Sequence, residues 1–277
     1  MSIGWLESII YGIVVGFTEF VPVSAQAHRL ILQNILGMGG EHSLLAVFTR
    51  LGALFALLSS SGAMMRNLYR EYRQSRPPKR RRKKHVDIQA VLDIRLVKFA
   101  CFPLVFGIFL YINTMQWNQK IPVVAAWLVL NGVILYFPQY LAHGNKDSRN
   151  MNRFDSILIG IGAMLAAIPG VSGIGAASSI AVARGADTQQ AYKWSLLLSA
   201  PILSGLLCFD MYALITGGFS GVGFLFFIQC VLSGITAYLG GRLAVAFMKA
   251  MASRSGFSNF SYYVWGASLF MFILYLY

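Results

Sequence analysis

Apolar residues run through this chain in long unbroken stretches, and breaks by Pro, Gly or charge are few. Residues 5–20 are almost wholly apolar and stop at Pro22; residues 24–36 resume the pattern and stop at Gly37. Each piece is short of the ~20 residues that cross a bilayer. Together they predict a helical hairpin that turns at Pro22 and returns to the side it entered from. Residues 44–65 predict a full span, as do 96–115 and 122–141. Residues 155–167 are again short, break at Pro169-Gly170, and continue over 172–183 as a second hairpin. Residues 194–215, 221–247 and 260–277 complete the set. The expected architecture is an all-α integral membrane fold of six transmembrane helices and two re-entrant helical hairpins.

The two hairpins resemble one another. Each has a short helix, a Pro turn leading to a serine (Pro22-Val23-Ser24 and Pro169-Gly170-Val171-Ser172), a second short helix and then a long span. This gives one polytopic domain over 1–277, with a first repeat half over 1–66 and a second over 154–215. Kinks in ordinary helices are the alternative reading of the two Pro turns, and charge decides against it. Lys and Arg concentrate over 66–98, around Lys79, Arg80, Arg81, Arg82, Lys83 and Lys84. Between two spans such a run reads as a cytoplasmic loop. Counting spans from there puts Lys146, Arg149, Arg153, Arg184, Lys193, Lys249 and Arg254 inside as well, but only if both hairpins return to their own side. The first hairpin then enters from outside and the second from inside, making the repeat inverted. Inverted repeats with broken helices place their site near the midplane, where helix ends meet.

Composition agrees. Only 12% of the 277 residues are charged, while 57% are hydrophobic, about half the charge of a soluble domain. The net charge of +13 is concentrated beside predicted spans, so anionic headgroups account for it and nucleic acid is not expected. Cys101, Cys208 and Cys230 are odd in number, widely spaced and set in apolar runs, which predicts free thiols. No cleavable leader is expected, because no basic segment precedes the first apolar run and that run contains Glu7 and Glu19.

The candidate chemistry lies in the first hairpin, Gly16-Phe17-Thr18-Glu19-Phe20-Val21-Pro22-Val23-Ser24-Ala25-Gln26-Ala27-His28. A carboxylate at a broken helix inside a membrane is costly and points to function. Glu19 can bind a cation or exchange a proton. Ser24 reads equally as an N-cap, and His28 by itself as a core histidine. Arg50 lies inside a predicted span, where a charge usually faces a cavity. Asp210, also within a span, is expected to cap or to pair with a basic or hydroxyl group.

These segments resemble the undecaprenyl-pyrophosphate phosphatase (bacitracin-resistance) family. Its members carry E-G-x-T-E-F-x-P-V-S-S-x-G-H in the first hairpin and P-G-x-S-R-S-x-x-T in the second. This chain reads V-G-F-T-E-F-V-P-V-S-A-Q-A-H and P-G-V-S-G-I-G-A-A. Leu51-Gly52 and the stretch from Trp194 to Pro201 also resemble the family's span segments. The resemblance implies a hydrolase that removes the terminal phosphate of undecaprenyl diphosphate and so recycles the peptidoglycan carrier, multi-pass in the bacterial inner (plasma) membrane. It implies Glu19, His28 and Ser172 as catalytic residues. Thr18 and Ser24 would bind substrate; outside the family pattern, Arg29, Arg50 and the backbone N–H groups of Gly173 and Gly175 at a helix N-terminus are further candidates to bind it, with close helix packing an equal reading of the two glycines. Glu19 would be the ligand of a divalent cation, Mg or Ca. The expected partners are the isoprenoid phosphate or diphosphate lipid, the membrane and a second copy in a homodimer.

The chain departs from the family pattern at several positions. Val15 stands where the first motif glutamate would be, which weakens the metal site. Ala25, Ala27, Gly173, Ile174 and Ala177 replace serine, glycine, arginine, serine and threonine. Arg29 or Arg50 would supply the missing cation, and glutamate at Val15 with arginine at Gly173 would restore the pattern. A non-hydrolytic relative that binds or translocates undecaprenyl phosphate is the alternative function, and a small-solute transporter the third.

Overall fold

A computed structural model describes residues 3–38, 42–75, 87–117, 119–141, 144–217, 223–252 and 257–276. Their α-helices are α1 (Trp5–Phe20), α2 (Ala25–Ile35), α3 (Ser43–Ser75), α4 (Ile88–Thr114), α5 (Ile121–Tyr136), α6 (Arg153–Met164), α7 (Gly173–Ala183), α8 (Thr188–Gly217), α9 (Phe224–Ala252) and α10 (Asn259–Leu276). Among the described residues, six helices are long and apolar enough to span a membrane, namely α3, α4, α5, α8, α9 and α10. The six expected spans are these. The short pairs α1/α2 and α6/α7 are the expected broken segments.

One boundary is corrected. The stretch 66–98 is not a loop throughout, because α3 continues to Ser75 and α4 begins at Ile88. The six-residue basic run within it lies outside the described residues. At about 1.5 Å per residue, helices of this length exceed a hydrocarbon core of about 30 Å, so their charged ends stand in water and remain helical. Asp87 starts α4 by accepting from the N–H groups of Gln89 and Ala90 at 2.9 and 3.2 Å.

The outer surface is apolar. Phe102, Phe106 and Phe109 on α4, Leu239 and Leu243 on α9, and Leu269 and Ile273 on α10 are all exposed. A shell of this extent is stable only against lipid. The chain is therefore a multi-pass membrane protein.

Inside, helices are drawn together by small residues, since apolar burial gives no net drive between helices already in lipid. A Cβ on Gly16 of α1 would lie 2.0 Å from the carbonyl oxygen of Ala237 on α9. One on Gly52 of α3 would lie 2.1 Å from Gly234 O of α9, and one on Gly160 of α6 2.1 Å from Ala100 O of α4. Helix α9 packs on both α1 and α3, α6 packs on α4, α8 packs on α3, and α5 pairs with α10. Each broken pair is thus packed against a long helix from elsewhere in the chain, α1 against α9 and α6 against α4.

At one end, Asp93 of α4 is fully buried and saturated. It accepts from Lys193 Nζ at 2.5 Å, Trp194 Nε1 at 2.9 Å, Gln190 Nε2 at 2.9 Å and the Ser148 hydroxyl. Four donors on one carboxylate offset the desolvation of its charge and tie α4 to α8 and to the segment before α6.

Gly16→Ala should lower thermal stability in detergent by about 1–3 kcal/mol, because its methyl group has no room beside a backbone carbonyl. Gly266→Ala, whose Cβ meets nothing within 4 Å, should leave the melting temperature unchanged or slightly raised. Equal melting of the two variants would mean that α1 and α9 are not held by close backbone approach.

Candidate functional site between the two broken helix pairs

Each helix break exposes backbone groups that lipid cannot satisfy. In the first, α1 ends at Phe20 and Ser24 caps α2, its hydroxyl accepting from Ala27 N at 3.4 Å. Ser24 has φ 64°, the one positive-φ non-glycine among the described residues, a conformation costing about 1 kcal/mol or more. In the second, Gly170 takes φ 100° and Ser172 caps α7 by accepting from Gly175 N at 3.2 Å.

The two breaks meet, and a buried amide joins them. Asn131 of α5 donates through Nδ2 to Pro22 O at 3.3 Å and accepts at Oδ1 from Ser172 N at 3.0 Å. Gly175 lies against Pro22, where its Cβ would be 2.9 Å from the proline Cβ. Asn131 interrupts a run free of Asp, Glu, Lys, Arg and His over 123–137, and that isolated amide was the signal the sequence reading passed over.

Beside this junction lies a cavity lined by Thr18, Glu19, Gln26 and Arg29 of the first pair, Ser172, Gly173 and Ile174 of the second, Arg50 of α3 and Ser199 of α8. Arg29 Nη2 is 3.8 Å from Glu19 Oε2, and Arg50 Nε forms a close ion pair with Asp210 Oδ2. All four side chains are at most 13% exposed. The expected partner of Asp210 is therefore Arg50. Arg29 and Arg50 also face a second polar cavity of about 190 Å³, lined by Gln33, Tyr111, Gln119 and Asp210. The guanidinium groups thus form a partition between two polar spaces.

Six of the nine expected site residues line the inner cavity: Thr18, Glu19, Arg29, Arg50, Ser172 and Gly173. Thr18 directs its proton to Val14 O at 2.8 Å, which leaves only its lone pairs to the cavity. The other three are placed elsewhere. His28 stacks on Tyr263 of α10 with ring centroids 5.7 Å apart. Its Nδ1 donates to Ser24 O at 2.8 Å, and its Nε2 accepts from the Tyr263 hydroxyl at 2.8 Å. Both ring nitrogens are used and fasten α2 to α10, and His28 is not among the residues that line the cavity. Ser24 is a buried cap. Gly175 gives its N–H to Ser172 and packs on Pro22, so it offers nothing to an anion.

The substituted motif positions are not simple vacancies. Val15 is fully buried in an apolar cluster with Tyr11, Leu44 and Leu45. A Cβ on Gly173 would lie 2.5 Å from Ala166 Cβ and 2.9 Å from Ala163 O. A longer side chain at Gly173 needs its neighbours to shift, and a glutamate at Val15 would be cut off from water. Among the described residues no three His, Cys, Asp or Glu converge on a metal position.

A helical membrane fold with arginines, a carboxylate and a helix N-terminus around one buried cavity defines a class of protein that can hold a phosphorylated group at the membrane. The chain belongs to the family described as Bacitracin resistance protein BacA, which it matches over residues 8–270. Among similar proteins are undecaprenyl-diphosphatases of Methanobrevibacter smithii, 29% identical over 97% of this chain and 96% of the relative, and of Halothermothrix orenii, 23% identical over 96% of each. Undecaprenyl-diphosphatase 1 of Shouchella clausii is 26% identical over 97% of this chain and 95% of the relative.

Replacing Asn131 with leucine orphans a buried carbonyl and a buried N–H at once. The expected loss is about 3 kcal/mol, read as a lower unfolding midpoint in detergent. An unchanged midpoint would show that the breaks are satisfied without the amide.

Proposed function

We propose that this protein hydrolyses undecaprenyl diphosphate, releasing its terminal phosphate, in the plasma membrane. The observation that carries the reading is Arg50. The arginine that the family pattern places after Ser172 is Gly173 here, and a guanidinium from α3 lines the same cavity instead. Water attacks the terminal phosphorus, its P–O bond forms as the bridging P–O bond breaks, and the lipid monophosphate leaves. Charge gathers on phosphoryl oxygens during this exchange. Arg50 and Arg29 offer charge-assisted hydrogen bonds to those oxygens. The first turn of α7 offers backbone N–H groups, at Gly173 and Ile174, to the same anion. Ser172 Oγ accepts from Gly175 N and keeps its own proton to donate. Glu19 takes the proton of the attacking water, held in place by Arg29.

A divalent cation would find one protein carboxylate here, Glu19, with substrate oxygens completing its shell, which is a common mode for Mg²⁺. When bound it would neutralise phosphate charge. Hairpins entering from opposite sides, as the charge distribution suggests, would set the cavity at mid-depth within reach of a lipid headgroup.

Purified protein should release phosphate from undecaprenyl diphosphate, and chelation should lower the rate. Glu19→Gln should reduce kcat/KM by about 100-fold, close to 3 kcal/mol. A double variant, Arg50→Met with Asp210→Leu, removes the ion pair without leaving an orphaned charge. It should fold and show a comparable loss, whereas Tyr263→Phe should retain most activity. Tight lipid binding without phosphate release under any metal would overturn hydrolysis in favour of a binding or translocating protein.

A further inference from the structure

An apolar groove of about 260 Å³ runs between α4, the end of α6 and α8. No charged residue lines it. Leu104 and Ile108 form one wall, Met164 the floor, and Ile202 and Leu206 the other wall. It opens towards lipid, since its lining residues Val105 and Ile108 are 65% and 50% exposed. Its inner end adjoins the polar cavity: Ala166, Ile202 and Leu206 line both.

We propose that this groove binds the head-proximal isoprene units of the substrate, so that the lipid enters sideways between α4 and α8. The inference rests on the hydrolase reading and adds the subsite for the tail. The occupant follows from adjacency: an apolar, lipid-facing groove beside a cavity lined by Ser172 and Arg50 matches an amphiphile whose anionic head and hydrocarbon tail are joined end to end. Its volume is below the ~300–1,000 Å³ of pockets that enclose a whole drug-sized ligand. The groove therefore grips only the first units, and the rest of the tail lies in the bilayer. Specificity is set by the proximal isoprenes and not by total chain length.

The groove contains its own probes. Gly205 of α8 lines it, and a Cβ there meets nothing within 4 Å. Gly205→Phe projects a ring from an open position of the groove wall, while Gly266→Phe, equally open at its Cβ but on α10, controls for bulk. Cys101 lies in the groove; Cys208 is exposed and outside its lining. Two readouts are needed.

In the first, farnesyl diphosphate should slow modification of Cys101 by a small membrane-permeant thiol reagent at least 5-fold and leave Cys208 unaffected. In the second, wild type should hydrolyse farnesyl and undecaprenyl diphosphates with kcat/KM within a few-fold of each other. Gly205→Phe should lower both at least 10-fold through KM, with methyl diphosphate hydrolysis and melting temperature unchanged. Gly266→Phe should match wild type throughout. Lipid hydrolysis unaltered by Gly205→Phe, or Cys101 unprotected while the lipid is hydrolysed, would overturn the groove and leave the hydrolase standing. Protection of Cys101 without phosphate release would support the groove and overturn hydrolysis. Absence of both binding and hydrolysis would overturn both.

Discussion

A broken helix inside a membrane leaves carbonyls and N–H groups that lipid cannot hydrogen-bond, each at a cost of several kcal/mol. The two breaks here lie on different halves of the chain, and one side chain answers both: Asn131 accepts from Ser172 and donates to Pro22. The positions of Glu19 and Ser172 relative to one another follow from that amide. Fastening by His28 and Tyr263 on the far side keeps α2 from rotating away. The cavity is therefore a by-product of satisfying backbone groups, and its polar lining is held on capped helix ends that have few other conformations available.

Packing at the second break bears on one departure from the family pattern. Gly173 lets α7 approach α6 closely, which brings Ser172 and the helix N-terminus into the cavity but leaves no room for a long side chain. The positive charge then comes from α3, where Asp210 holds Arg50 in place. A buried guanidinium needs such a partner. Arg50 and Asp210 are best understood as one feature, since neither residue is tolerable at that depth alone.

Much of this was legible in the primary structure. Span number and helix breaks follow from apolar run length and from Pro22 and Pro169, because membrane thickness and proline geometry are strong local constraints. The gathering of Thr18, Glu19, Arg50 and Ser172 was also readable, since polar residues in apolar runs must find one another. What escaped was of two kinds. Helix ends in water carry no hydropathy signal, so α3 and α4 run further into the basic stretch than apolar content indicates. The destinations of single side chains depend on partners distant in sequence: nothing near His28 in the chain shows that its second nitrogen meets Tyr263, 235 positions later.

The packing of α1 on α9 also bears on how the protein is made. Helix α1 has its closest partner in α9, with Gly12 and Gly16 set against Ser233, Thr236 and Ala237. More than 200 residues separate them, so most of the chain leaves the ribosome before α1 can dock. Until then α1 and α2 must wait in the bilayer with Glu19 and Arg29 unsheltered by the finished bundle. The Glu19–Arg29 pair is formed wholly within that first segment. A carboxylate and a guanidinium that can neutralise one another without help from later helices cost less to insert than either charge alone.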